Sequence, residues 1–147
     1  MRHMRIDPCQ GPGDEHAASP EPVCVRDWMS KPAVTIPATA PLAEALLRMA
    51  DHRIHYLPVV NEEGCLIGIV NEDDVLGTRR GARRANALVA EVMSAPAVSV
   101  DSAQSLREAM ELLVGRSIGA LPVVKDGRVI GILTQSDVVS ALAQART

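Results

Sequence analysis

Apolar positions recur at helical spacing in two stretches and as short continuous runs in several others. Leu42, Ala45, Leu46 and Met49 share one stripe of a helix, as do Leu106, Ala109, Met110 and Leu113. Pro41 presets φ for the start of the first helix, and Ser105-Leu106-Arg107-Glu108 carries the S-x-x-E capping pattern at the start of the second. Upstream of each, Val25–Met29 and Ala87–Met93 read as short helices. In the first of these, Val25, Trp28 and Met29 lie on one face. Pro-bounded strands follow at Ala33–Ile36 and Ala97–Val100. Downstream, Tyr56–Val60 with Leu66–Val70, and Ala120–Val124 with Arg128–Leu133, predict two hairpins. The second turns on Lys125-Asp126-Gly127. Val, Ile and Leu run almost unbroken through these strands, so both faces of each small sheet should be covered, by helices. A last helix is expected directly after each hairpin, starting at Asn71 and at Thr134.

The same elements appear twice because the sequence does. Met29-Ser30-Lys31-Pro32-Ala33-Val34 matches Met93-Ser94-Ala95-Pro96-Ala97-Val98 at every position but one. In the same register Leu57-Pro58-Val59-Val60 meets Leu121-Pro122-Val123-Val124. After one residue is dropped in the turn, Ile67-Gly68-Ile69 meets Ile130-Gly131-Ile132. A duplication with a single deletion in a turn explains this economically. The expected organisation is a tail over residues 1–24, a first repeat with a basic linker over 25–86, and a second repeat over 87–147. The tail has four prolines (Pro8, Pro12, Pro20 and Pro22) and two glycines (Gly11 and Gly13) without periodicity. A unit of about 60 residues is marginal alone, so two repeats packed about a pseudo-twofold axis, with clefts between them, are expected.

Composition narrows the function. A net charge of −3 gives no footprint for nucleic acid, and Trp28 and Tyr56 are too few aromatics for a base-stacking platform. Nucleic acid is therefore disfavoured as a partner, including through the arginine linker. No run approaches the roughly 20 apolar residues of a membrane span. The N-terminus carries no secretory apolar run, which makes a cytoplasmic protein the expectation. Cys9, Cys24 and Cys65 read as reduced thiols rather than a disulfide frame or zinc site, with Cys65 filling a hairpin strand. No metal site is expected: His52 and His55 are spaced i, i+3 with no third ligand. No HExxH, phosphate loop, GxGxxG or nucleophile triad spacing is present, so an enzyme is not expected.

The order M-S-x-P, helix, L-P-V-V and G-h-h-T-x-x-D, where h is apolar, resembles the CBS domain, named after cystathionine β-synthase. Two in tandem form a Bateman module. Gly131-Ile132-Leu133-Thr134-Gln135-Ser136-Asp137 fits the motif fully. Gly68-Ile69-Val70-Asn71-Glu72-Asp73-Asp74 departs from it at Asn71, where Thr or Ser is usual. The resemblance implies an α+β fold of two β-α-β-β-α repeats, small sheets covered by helices, and frequent homodimers. It also implies a regulatory adenosine-containing ligand (AMP, ADP, ATP or S-adenosylmethionine), with no cofactor required. The aspartate would hold the ribose diol and the threonine the ribose or phosphate.

If the family's cross-repeat arrangement holds, one cleft joins Thr134 and Asp137 to Pro32, Val34, Ile54, His55 and Tyr56. A weaker one joins Asn71 and Asp74 to Pro96, Val98, Ile118, Gly119 and Ala120. The second cleft lacks side-chain donors at Gly119 and Ala120, and Glu72, Asp73 and Asp74 disfavour a phosphate there. The plain alternatives are weighed beside these. Thr134 and Asp137 fit a helix cap equally well. His55 could be a solvated strand residue, Tyr56 core, and Arg79, Arg80, Arg83 and Arg84 a solvated loop. The helices carrying Met49 and Met110 are candidates for a dimer seam. The expected protein is a regulatory module that signals to a separate effector protein. Its rival is an oligomerisation module with degenerate clefts.

Overall fold

A computed structural model describes residues 23–77 and 87–145. The proline-rich tail and the arginines at 79, 80, 83 and 84 lie outside the described residues. Within them, each repeat is an α+β unit. The first has β1 (Ile36–Pro37), α1 (Leu42–His52), β2 (Tyr56–Val60), β3 (Leu66–Asn71) and α2 (Glu72–Leu76). The second has β4 (Val100–Asp101), α3 (Leu106–Gly115), β5 (Ala120–Lys125), β6 (Arg128–Thr134) and α4 (Gln135–Ala145). Each three-stranded sheet pairs its first strand parallel and its third antiparallel to the middle one. A crossover helix is what makes the parallel pairing possible.

Local chemistry sets the boundaries. Leu42, Ala45 and Met49 of α1 and Leu106, Ala109 and Leu113 of α3 are buried, as the stripes require. Ser105 Oγ accepts the Glu108 amide at 3.1 Å while Glu108 Oε1 accepts the Ser105 amide at 3.2 Å, closing the capping box. The hairpin turns differ by one residue for a visible reason. Asp126 (φ 55) and Gly127 (φ 82) both turn left-handed, as a two-residue hairpin turn demands. In the first repeat Asn61 Oδ1 instead accepts the amides of Glu63 and Cys65, each at 2.9 Å, and builds a wider turn closed by Gly64. Both middle strands shift register at the same place, Val59/Val60 and Val123/Val124.

The first strands are shorter than the sequence pattern suggested, two residues each, and the short upstream helices are single 3-10 turns, Val25–Asp27 and Val89–Glu91. Their side chains cap them in the same way: Asp27 accepts the Cys24 amide at 3.4 Å and Glu91 the Leu88 amide at 2.9 Å.

These leading segments bond to the other repeat. The chain forms two compact units. Among the described residues, one combines 23–32 with 99–145, and the other holds those between Ala33 and Val98. In the former, Leu106 at the start of α3 donates its amide to Val23 O (3.0 Å), Val25 to Gln104 O (2.9 Å), and Ser30 and Ile132 exchange a pair at 2.9 and 3.1 Å. In the latter, Leu42 donates to Ala87 O (2.8 Å), Val89 to Ala40 O (2.8 Å), and Ser94 and Ile69 exchange a pair at 2.9 and 3.0 Å. The leading segment of each repeat thus supplies the N-terminal cap of the other repeat's main helix and borders its third strand. Val25 and Val89, both fully buried, anchor the exchange.

Cys65 is disulfide-bonded, which corrects its reading as a reduced filler thiol; Cys24 is free, and Cys9 lies outside the described residues. Among the described residues, no helix is long and apolar enough to cross a membrane.

Candidate functional site

In each unit the C-terminal end of the third strand runs straight into a helix, and that junction carries the polar motif. Thr134 ends β6 and pairs across the sheet with Ala120, the first residue of β5. Ile118 and Gly119 therefore lead into the strand that borders Thr134. Asp137 sits in the first turn of the 11-residue α4, where a carboxylate complements the helix dipole. Its Oδ2 accepts the Thr134 amide at 2.9 Å and the Thr134 hydroxyl at 3.2 Å, and Thr134 Oγ1 in turn lies 3.4 Å from the Asp137 amide. The capping role is therefore real. It uses one carboxylate oxygen, however: Oδ1 accepts no hydrogen bond among the described residues. A half-buried carboxylate with one fixed and one open oxygen is a preorganised acceptor for vicinal hydroxyls.

The first repeat builds the same junction differently. Asn71 ends β3 and pairs with Tyr56. Asn71 Oδ1 accepts the Asp74 amide at 2.8 Å and Asp74 Oδ2 accepts the Asn71 amide at 3.2 Å, a reciprocal cap of the same kind. Next to it, Glu72 Oε1 lies 2.9 Å from His55 Nδ1, both groups exposed. The corresponding residue of the second repeat, Gln135, reaches back to Ile118 O at 3.2 Å. The difference follows from donor chemistry. An amide can donate to a carbonyl, whereas a carboxylate only accepts and so turns to the imidazole.

The structure thus groups the sequence-predicted residues by unit. Thr134 and Asp137 share a unit with Pro32, Ile118, Gly119 and Ala120. Asn71 and Asp74 share the other with Val34, Ile54, His55, Tyr56, Pro96 and Val98. His55 is engaged beside Asn71 and Asp74, a contact that sequence reasoning missed. The signal for it was the pairing of a histidine before β2 with an acid after β3, legible only once the strand register is known. Tyr56 is half-buried, and Pro32 and Pro96 are exposed, each following a cis peptide bond.

Gly131 and Gly68 serve packing rather than a ligand. A Cβ on Gly131 would stand 2.5 Å from Met29 Sδ and 3.0 Å from Ser30 O. One on Gly68 would stand 2.8 Å from Met93 Sδ and 2.9 Å from Ser94 O. Each glycine admits the exchanged segment against the sheet.

Comparison with known proteins gives the architecture its family. The CBS domain model matches residues 25–81 and 89–144. The CBS domain-containing protein YhcV of Bacillus subtilis is 32% identical over 114 residues, covering 77% of this chain and 81% of YhcV. The chain spans 44%, 23% and 61% of the length of three other curated relatives. Among solved structures, the CBS domain pair of protein MJ0100, in complex with 5′-methylthioadenosine and S-adenosyl-L-methionine, superposes with a TM-score of 0.74 at 27% identity, over 85% of this chain and 98% of that one. CBSX2 of Arabidopsis thaliana in complex with AMP superposes with a TM-score of 0.71 at 25% identity, over 85% and 99%. With both repeats matched and the paired fold reproduced, the chain belongs to the CBS domain family as a tandem pair, a Bateman module.

Proposed function

We propose that this chain is a regulatory module that binds an adenosine-containing ligand and passes the change to a separate effector protein. The observation that carries this reading is the half-open Asp137 carboxylate beside Thr134 at the start of α4. The ribose diol donates to Asp137 Oδ1 while Oδ2 stays tied to Thr134. Phosphate or another polar group lies further from the carboxylate, which would repel an anion placed directly on it. The junction at Asn71 and Asp74 is the weaker site. Glu72 and Asp73 add negative charge there that disfavours phosphorylated ligands. AMP, ADP, ATP and S-adenosylmethionine share the adenosine moiety that this chemistry reads. The bound complexes of MJ0100 and CBSX2 support the class without selecting the member.

The module acts without catalysis, in the cytoplasm, as a homodimer. Exposed Leu47, Val114 and Val139 on the helices are the apolar positions proposed for the seam. Ligand binding favours one of two arrangements of the module by its differential affinity for them.

Thermal melting tests the reading. At a hundredfold excess over Kd, at least one of the four compounds should stabilise the protein by about 2.7 kcal/mol. If none moves the melting temperature, the chain is an interaction module with degenerate sites and the sensor reading falls.

A further inference from the structure

Each leading segment carries a methionine directly before the serine that pairs with a third strand. Met29 precedes Ser30, which exchanges its bonds with Ile132, and Met93 precedes Ser94, which exchanges its bonds with Ile69. Both thioethers lie over a glycine of that strand. A Cβ on Gly131 would stand 2.5 Å from Met29 Sδ, and one on Gly68 2.8 Å from Met93 Sδ. The sulfur therefore fills the space that a strand side chain would otherwise take, a role that suits an unbranched, adaptable chain. Met29 and Met93 are half-buried, whereas Met49 is only 3% exposed. The two methionine–glycine contacts persist where their neighbours diverge: Trp28 and Lys31 are replaced by Val92 and Ala95 in the second copy of the segment.

A thioether in that place is open to one specific chemistry. A two-electron oxidant such as hydrogen peroxide transfers one oxygen atom to a sulfur lone pair. The O–O bond breaks as the S–O bond forms, and the departing hydroxide takes up a proton to become water. The sulfide is oxidised to the sulfoxide, and methionine sulfoxide reductases reverse the change. The product is larger and polar. If it stays in place, its oxygen meets strand backbone whose amides at Ile132 and Ile69 already bond the carbonyls of Ser30 and Ser94. That leaves an unpaired acceptor against the sheet. If it swings out to solvent, the space over the glycine empties and the segment loses that packing. Both outcomes weaken the neighbouring backbone pair. Ile69 and Ile132 lie two residues before Asn71 and Thr134 on β3 and β6, so the effect falls on the strands that lead into the two junctions.

We propose that Met29 and Met93 are a pair of reversible oxidation sites, at which a peroxide-class oxidant loosens the leading segments from β6 and β3.

Brief treatment of the full chain with hydrogen peroxide, followed by peptide mapping and calorimetric melting, tests this. Met29 and Met93 should be oxidised ahead of Met49, and the melting temperature should fall by about 5 °C or more. Hydrogen exchange should quicken across residues 66–71 and 128–134. Methionine sulfoxide reductases should restore the original melting temperature, which damage at a cysteine would not allow. Met29→Leu combined with Met93→Leu, a change that conserves volume, should melt at the same temperature with or without peroxide. The proposal fails if sulfoxide at Met29 and Met93 leaves melting unchanged or if Met49 is oxidised as readily. It fails equally if the double leucine variant loses as much stability on treatment as the wild type. Should that variant not fold, the wild type decides alone. Unchanged exchange at 66–71 and 128–134, or a loss of stability that the reductases do not reverse, refutes the assignment.

Discussion

Gly131→Val is expected to be among the most destabilising single substitutions in this chain. A Cβ at that position meets Met29 Sδ at 2.5 Å and Ser30 O at 3.0 Å, and valine adds two methyl groups beyond it. The thioether can swing away. The Ser30 carbonyl cannot, because it accepts the Ile132 amide in the pair that holds the exchanged segment to β6. Overpacking of this kind costs about 1–3 kcal/mol, and loss of the two backbone bonds adds about 1 kcal/mol each. A fall in melting temperature of about 10 °C follows for a chain of this size. Gly115→Ala is the control, since nothing lies within 4 Å of a Cβ there and its backbone is helical. It should leave stability unchanged or raise it by up to about 1 kcal/mol. Calorimetric melting of the two variants decides the matter. Equal behaviour would mean that Gly131 does not admit the segment.

Val25→Asp should have a comparable effect, felt in an unexpected part of the chain. Val25 is fully buried and its amide is bonded to Gln104 O. An unpaired carboxylate in that place costs about 3 kcal/mol or more. The residue opens the first repeat in sequence, yet its packing partners belong to the second. Hydrogen exchange followed by mass spectrometry should therefore show protection lost across residues 120–134 of β5 and β6. Residues 56–71 of β2 and β3 should retain theirs. Loss confined to 56–71 would refute the exchange of leading segments.

Much of this architecture was legible in the sequence. The offset between Met29 and Met93 fixed the repeat, and the 3.6-residue stripes placed α1 and α3 with their buried faces. The Asp-Gly turn placed one hairpin. What the sequence left open was non-local. Which repeat Val25 packs against depends on the backbone bonds of Val23, Val25 and Ser30, and main-chain pairing leaves no signature in side-chain pattern. The register of β2 against β3, which brings Glu72 to His55, was invisible for the same reason, as was the bonding of Cys65. The first strands came out short because Ala33–Thr35 and Ala97–Ser99 have strand-like residues but no ladder partner. At the site, the residue types at Thr134 and Asp137 were readable from spacing. The division of labour between the two carboxylate oxygens of Asp137 needed coordinates, because it depends on where the Thr134 amide and hydroxyl point.

That division is the centre of the functional account, and one measurement reaches it directly. Isothermal titration of AMP and S-adenosylmethionine into the wild type and Asp137→Ala, side by side, reports whether this carboxylate holds the ligand. The account predicts saturable binding of at least one compound by the wild type. In the variant that binding should be about tenfold weaker or worse, because two charge-assisted hydrogen bonds to the ribose are removed. Circular dichroism would confirm that the variant remains folded. Equal affinity in wild type and a folded Asp137→Ala would contradict the account, and would leave Asp137 as a helix cap and nothing more.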